Sequence, residues 1–177
     1  MSRKLTKTSE SVLDYFYRYP DREVHIRGLA DETGIAYSSV RNALESLESE
    51  GLVTKREESK MTFYSANRND GEFKRRKRLR NLQQLYETGV VETLEHQLRP
   101  DALVLFGSYL EGNDRGDSDI DIAVVNGRKT DVDLSEFEET LGRTVQLVAI
   151  DDARDEKKDF RNTLANGFVL SGHLTVI

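Results

Sequence analysis

Between Leu103 and Val125 the chain reads LVLFGSYLEGNDRGDSDIDIAVV, two apolar runs around a polar segment. That segment opens with Gly107-Ser108 and closes, after ten further residues, with Asp119-Ile120-Asp121. The first run, Leu103 to Phe106, has the length and composition of a buried strand. The second predicts a strand beginning near Asp119. Side chains at i and i+2 of a strand share one face, roughly 7 Å apart. Asp119 and Asp121 then point one way while Ile120, Ile122 and Val124 point the other. Two carboxylates on one face repel each other unless a cation lies between them. Mg²⁺, or Mn²⁺ in its place, favours such oxygen ligands and is often shared with substrate phosphates. A Gly-Ser turn after a buried strand offers backbone N–H groups and a hydroxyl to a phosphate. One stretch therefore predicts two strands with a phosphate and a metal between their ends.

The pattern continues as a small α/β unit. Asn126-Gly127 turns the chain, and Leu134, Phe137 and Leu141 align on a helix. Thr144 to Ile150 reads as a strand. A charged helix over about 155–165 buries Phe160 and Leu164, Gly167 stops it, and Phe168 begins a last short segment.

Gly-Ser, ten residues and Asp-x-Asp between two strands resemble the signature of the minimal nucleotidyltransferases, within the DNA polymerase beta-like superfamily. Residues 101–177 match that fold in size and order. The resemblance implies a nucleotide, ATP first among the NTPs, held at Gly107, Ser108 and Tyr109. It also implies Asp119 and Asp121 as both metal ligands and catalytic residues. Two departures bear on activity. The family's third carboxylate would stand on the later strand, where this chain has Gln146. A neutral amide can coordinate a cation but cannot act as a base or neutralise the second metal of in-line transfer. Asp151, five residues on, lies more than roughly 15 Å away along an extended strand. Glu111 stands where many members carry Arg in Gly-Ser-x-x-Arg-Gly.

The N-terminal segment follows a different pattern. Thr8 or Ser9 caps a first helix running to about Tyr19, with Val12, Leu13 and Phe16 on one face. Val24-His25-Ile26 allows only a minor strand. A second helix over about 27–33 is closed by Gly34, and a third over about 38–50 turns Val40, Leu44 and Leu47 inward. Residues 53–64 read as a hairpin turning near Glu58 and Ser59. Two short helices around a glycine-bearing corner, then a hairpin, resemble a winged helix-turn-helix of prokaryotic transcription regulators. That resemblance implies double-stranded DNA as partner, with the third helix in the major groove. Its outward face offers Ser38, Ser39, Arg41, Asn42 and Glu45, and Arg and Asn suit guanine and adenine edges. Lys55, Arg56 and Lys60 on the wing are positioned for phosphates.

Charge divides the chain in the same places. Of the formal net charge of -6, residues 1–70 carry -1, 71–100 carry +3 and 101–177 carry -8. These bounds define a winged helix-turn-helix domain (1–70), a basic amphipathic connecting helix (71–100) and the nucleotidyltransferase-like domain (101–177), a mixed α+β architecture. Lys74, Arg75, Arg76, Lys77, Arg78 and Arg80 form the densest cationic cluster and would add salt-dependent affinity for DNA. Leu79, Leu82, Tyr86, Val90 and Leu94 make one apolar stripe, for packing between domains or as the seam of a homodimer.

With no cysteine, disulfides and thiolate chemistry are excluded. No apolar leader follows the basic start and no run reaches membrane-span length, so a cytoplasmic protein without a membrane partner is expected. His25, His96 and His173 show no ligand spacing. Two readings stay open: a DNA-binding regulator that binds Mg–NTP, with weak nucleotidyl transfer open to it, and an active transferase that adenylylates a protein or small molecule, for instance as the antitoxin of a toxin–antitoxin pair.

Overall fold

The computed structural model describes residues 5–176, which divide into two compact units after Arg75. The elements of the first unit are α1 (Lys7–Arg18), β1 (Glu23–His25), α2 (Ile26–Thr33), α3 (Tyr37–Ser49), β2 (Val53–Glu58) and β3 (Met61–Ala66). Thr6, rather than Thr8 or Ser9, caps α1, its hydroxyl accepting from the Ser9 amide at 3.1 Å. His25 caps α2, with Nδ1 accepting from the Gly28 amide at 2.8 Å. Both caps satisfy donors that the first helical turn leaves open. Gly34 ends α2 at a φ of 67°, a left-handed conformation that glycine adopts without a Cβ clash.

Val12, Phe16, Leu29, Val40, Leu44, Leu47 and Leu52 form the fully buried centre of this unit. Each such side chain contributes on the order of 1.5–3 kcal/mol relative to exposure. The minor strand β1 is real and pairs antiparallel with β3, giving a sheet of order β1-β3-β2. The hairpin turns at Ser59 and Lys60, one residue later than Glu58-Ser59, and both residues have positive φ (49° and 68°). Mirror-image turns of this kind match the twist of paired strands.

The connecting segment is not one helix. α4 (Gly71–Thr88) and α5 (Val90–Leu98) are separated by Gly89 at a φ of 78°. Asp70 starts α4, its Oδ1 accepting from the Glu72 and Phe73 amides. The buried row of α4 also differs from the expected stripe. Leu79 is 67 % exposed and Tyr86 41 % exposed, while Phe73, Lys77, Asn81 and Leu85 are buried. Those four recur every fourth residue and so lie along one side of the helix. Phe73 joins the core of the first unit beside Tyr17. Leu85, Val90 and Leu94 join that of the second.

The second unit continues with β4 (Ala102–Phe106), α6 (Gly107–Glu111), β5 (Ile120–Val125), α7 (Ser135–Leu141), β6 (Val145–Ile150), α8 (Lys158–Ala165) and β7 (Phe168–Gly172). Its sheet has the order β6-β5-β4-β7. β4 is antiparallel to β5 and to β7, whereas β5 and β6 run parallel. Leu103, Leu105, Ile120 and Ile122 face one core, and Ala102, Val104 and Ala123 face another. The sheet is covered on both faces, and its inner strands are accordingly almost wholly apolar. Among the described residues no helix is long and apolar enough to cross a membrane.

Candidate functional site

β4 delivers Phe106 opposite Asp121 of β5, and Gly107 follows at the sheet end with a φ of 76°. A Cβ placed on Gly107 would lie 2.5 Å from Asp121 Oδ2. Glycine is therefore favoured by its backbone angle, and any Cβ here would also push the Asp121 carboxylate aside. Asp119 stands exposed just before β5, one residue outside the expected strand, while Asp121 is half-buried within it. Burial pushes the Asp121 carboxyl above its ordinary value, and the negative charge of Asp119 pushes it further in the same direction. The pair is electrostatically unfavourable as it stands, as expected of a cation site. Ser108, half-buried, follows Gly107 in the first turn of α6.

Two carboxylates, Asp119 and Asp121, could contribute to a divalent-ion site here, and β6 adds no third. Gln146 is the register partner of Asp121 on β6 and is exposed. Among the described residues no three Asp, Glu or His side chains cluster closely enough to hold a metal by themselves. Asp119 and Asp121 would need phosphate oxygens or water to complete a shell, which is how Mg²⁺ is usually held.

Tyr109 lies apart from this group. Its side chain is 2 % exposed, with the phenol oxygen 3.5 Å from Gln84 Oε1. Burial raises its pKa above the ordinary value, with Asp114 adding to the effect. Its side chain belongs to the core, and only its backbone takes part in the turn. Beside Gly107 lies a cleft of about 350 Å³ lined by Arg78, Phe106, Glu111, Asn162, Asn166 and Gly167, among others. A Cβ on Gly167 would meet Val104 Cγ1 at 2.6 Å and the Leu105 carbonyl oxygen at 2.9 Å.

A buried ionic network, unforeseen in the sequence, holds the loop between the two motifs. Lys77 Nζ is 2.5 Å from Asp114 Oδ1 and donates to the Asp114 carbonyl at 2.9 Å. Asn81 Nδ2 donates to Asp114 Oδ1 at 3.0 Å and to the Tyr109 carbonyl at 2.8 Å. Arg143 reaches Asp114 Oδ2 at 3.5 Å and donates to the Gly116 carbonyl at 2.7 Å. Lys77 is thus removed from the basic cluster as a DNA contact, being 1 % exposed. The signal that identifies it is its place in the Phe73–Lys77–Asn81–Leu85 row, between two apolar residues. Buried charges persist only when paired and hydrogen-bonded, so the network fixes the chain just after Ser108 and just before Asp119.

In the first unit, α3 presents Ser38, Arg41 and Asn42 to solvent and Ser39 half-buried. Arg41 Nε donates to Glu45 Oε1 at 2.9 Å. On the wing, Lys55 pairs with Glu57, and Arg56 with both Glu23 and Glu58. Arg56 also lies over the Phe63 ring at 5.3 Å. Lys60, at the exposed turn, shares a cleft with Arg27 and Tyr37. Neither of those two was anticipated, although Tyr37 opens α3 and is 54 % exposed.

The family model described as penicillinase repressor matches residues 5–104. The chain belongs to that family. As a member of the penicillinase repressor family it carries a winged helix-turn-helix DNA-binding regulator region. Residues 89–171 match a second model, polymerase beta nucleotidyltransferase, so a nucleotidyltransferase domain follows. Proteins of that superfamily generally use an NTP and a divalent metal. Comparison with curated proteins found no match. Among solved structures, the chain is similar to the homodimeric winged helix-turn-helix DNA-binding domain of a possible ArsR-family transcriptional regulator from Mycobacterium bovis. Identity is 25%, over 50% of this chain and 72% of that one, with a TM-score of 0.35.

Proposed function

We propose that the chain is a DNA-binding transcription regulator whose nucleotidyltransferase domain binds Mg²⁺–NTP, ATP foremost, as a signal rather than as the substrate of efficient transfer. The observation that carries this reading is the set of groups around Asp121. Gly107 leaves open backbone against its carboxylate, Asp119 adds a second carboxylate, and the neutral Gln146 stands across from it. A bound divalent ion would supply charge neutralisation for the phosphates. The chain's own residues have narrower tasks. Asp119 and Asp121 hold the ion, while the turn at Gly107 and Ser108 directs its donors at phosphate oxygens. The Lys77–Asp114–Arg143 network keeps the two motifs in register. With Gln146 in the third position no carboxylate stands there to take a proton from an attacking hydroxyl, which favours binding over turnover.

Calorimetric titration of the full chain with ATP and Mg²⁺ tests the reading. Binding that depends on Mg²⁺ and is lost in Asp119→Ala/Asp121→Ala is the expected result. DNA selected by the protein from a random pool then reports coupling, because a ligand shifts an equilibrium only through different affinities for its two states. No ATP binding, or rapid label transfer from ATP to a protein or small molecule, would overturn the proposal.

A further inference from the structure

Glu111 places a negative charge beside a turn expected to receive phosphates, so the balancing cation must come from elsewhere in the fold. Arg78 enters the same cleft from α4, facing the space that Gly107, Glu111, Asn162 and Asn166 also line. At about 350 Å³ the cleft falls within the range of small-molecule sites, roughly 300–1,000 Å³. Three other cations of α4 have carboxylate partners: Arg75 with Glu72, Lys77 with Asp114, and Arg80 with Glu87. Arg78 is exposed and has no such partner among the described residues. Glu111 is held by Asn113, whose Nδ2 donates to Oε2 at 3.0 Å. The cleft therefore contains one uncommitted guanidinium, next to open glycine backbone that itself abuts Asp121.

Resting on the nucleotide-binding reading above, we infer that Arg78 is the phosphate-binding cation of this site, supplied by α4 in place of an arginine at position 111. A guanidinium presents a planar fork of donors that fits two oxygens of one phosphate. It is the α4 side chain that combines a permanent charge, solvent access and a shared cleft with Gly107. Gly107 links the two parts of the site, lining the cleft with Arg78 and lying against the Asp121 carboxylate.

The test is Mg²⁺–ATP titration of the full chain in four forms: unsubstituted, Arg78→Gln, Arg78→Lys and Asp121→Asn. Arg78→Gln is expected to weaken ATP binding about tenfold, the loss of one charge-assisted contact. Arg78→Lys, which keeps the charge, is expected to recover part of that loss. Because Arg78 is exposed, both variants should melt within about two degrees of the parent. If glutamine and lysine reduce affinity equally, charge is not what Arg78 provides and the inference fails. Unchanged affinity in Arg78→Gln, with Asp121→Asn defective, overturns the role of Arg78 and leaves the nucleotide site intact. No ATP binding by the unsubstituted chain overturns both.

Discussion

Gln146 is the register partner of Asp121 across the parallel β5–β6 pair, where its side chain shares the carboxylate's face of the sheet. Gln146→Asp would bring a third carboxylate to within about one strand spacing, ~4.8 Å, of Asp121. In metal-free buffer the variant is expected to melt below the parent, because three like charges then share one sheet end. Added Mg²⁺ should more than restore it, with a larger rise than in the parent. Melting curves with and without Mg²⁺ check this, and a variant that neither loses stability without Mg²⁺ nor gains more from it than the parent would contradict the shared site.

Asp121→Asn should stabilise the metal-free protein at neutral pH. Burial and the charge of Asp119 both raise the Asp121 pKa. The folded chain therefore holds this proton more tightly than the unfolded chain. Its contribution is fully present below the ordinary carboxylate range and is lost as the pH rises through the raised value. The asparagine variant avoids that loss, with a gain below about 1 kcal/mol because the group is partly solvated. The difference from the parent should close as the pH falls below the carboxylate range. Melting across pH values measures it, and a variant less stable than the parent at neutral pH would contradict the electrostatic argument.

Asp114→Ala strips the carboxylate shared by two buried cations, Lys77 and Arg143. The expected cost to the second unit is about 3–5 kcal/mol. Lys77→Met should cost less, since Asp114 keeps Asn81 and Arg143 as partners. Urea unfolding of both variants and of the double variant separates pair from context. Equal losses in the two single variants would mean that the lysine alone sustains the carboxylate.

Arg41 and Lys60 should affect DNA differently. Arg41→Ala is expected to cost about 1–3 kcal/mol on a preferred sequence and to relax selectivity at one base pair. Lys60→Ala should weaken all sequences alike and reduce the salt slope by about 1. Glu45→Ala, which frees Arg41 from its 2.9 Å ion pair, should leave affinity equal or higher. Titrations at several salt concentrations distinguish these outcomes, and an Arg41→Ala loss that is uniform over sequences would reassign that residue to the backbone.

The sequence is most legible where one local rule decides the outcome. Glycine after an apolar run and apolar spacing in the first three helices survive into the structure with shifts of one or two residues, whereas of the two carboxylates expected on one strand only Asp121 lies within it. Lys77 and Asn81 escaped because a run of cations was read by composition, and burial there is decided by Asp114, far away in sequence. Gly89 escaped for a related reason. Apolar residues continue on either side of it, and periodicity alone does not show that a left-handed residue interrupts the helix. Tyr109 adjoins the Gly-Ser turn in sequence, yet helical rotation of about 100° per residue takes its ring inward.

The cleft next to Asp121 is bordered by two glycines, Gly107 and Gly167, at which no side chain fits. That part of its wall is main chain, backed by the Asp121 carboxylate at Gly107 and by Val104 and the Leu105 carbonyl at Gly167. Such a surface resists substitution, because a side chain is strained by the positive φ at Gly107 and meets the strand backbone of Leu105 at Gly167. A lineage that altered what this cleft accepts would have to change the movable walls, Arg78 on one side and Asn162 and Asn166 on another. On the nucleotide-binding reading, selectivity would thus rest on side chains other than those that set the architecture.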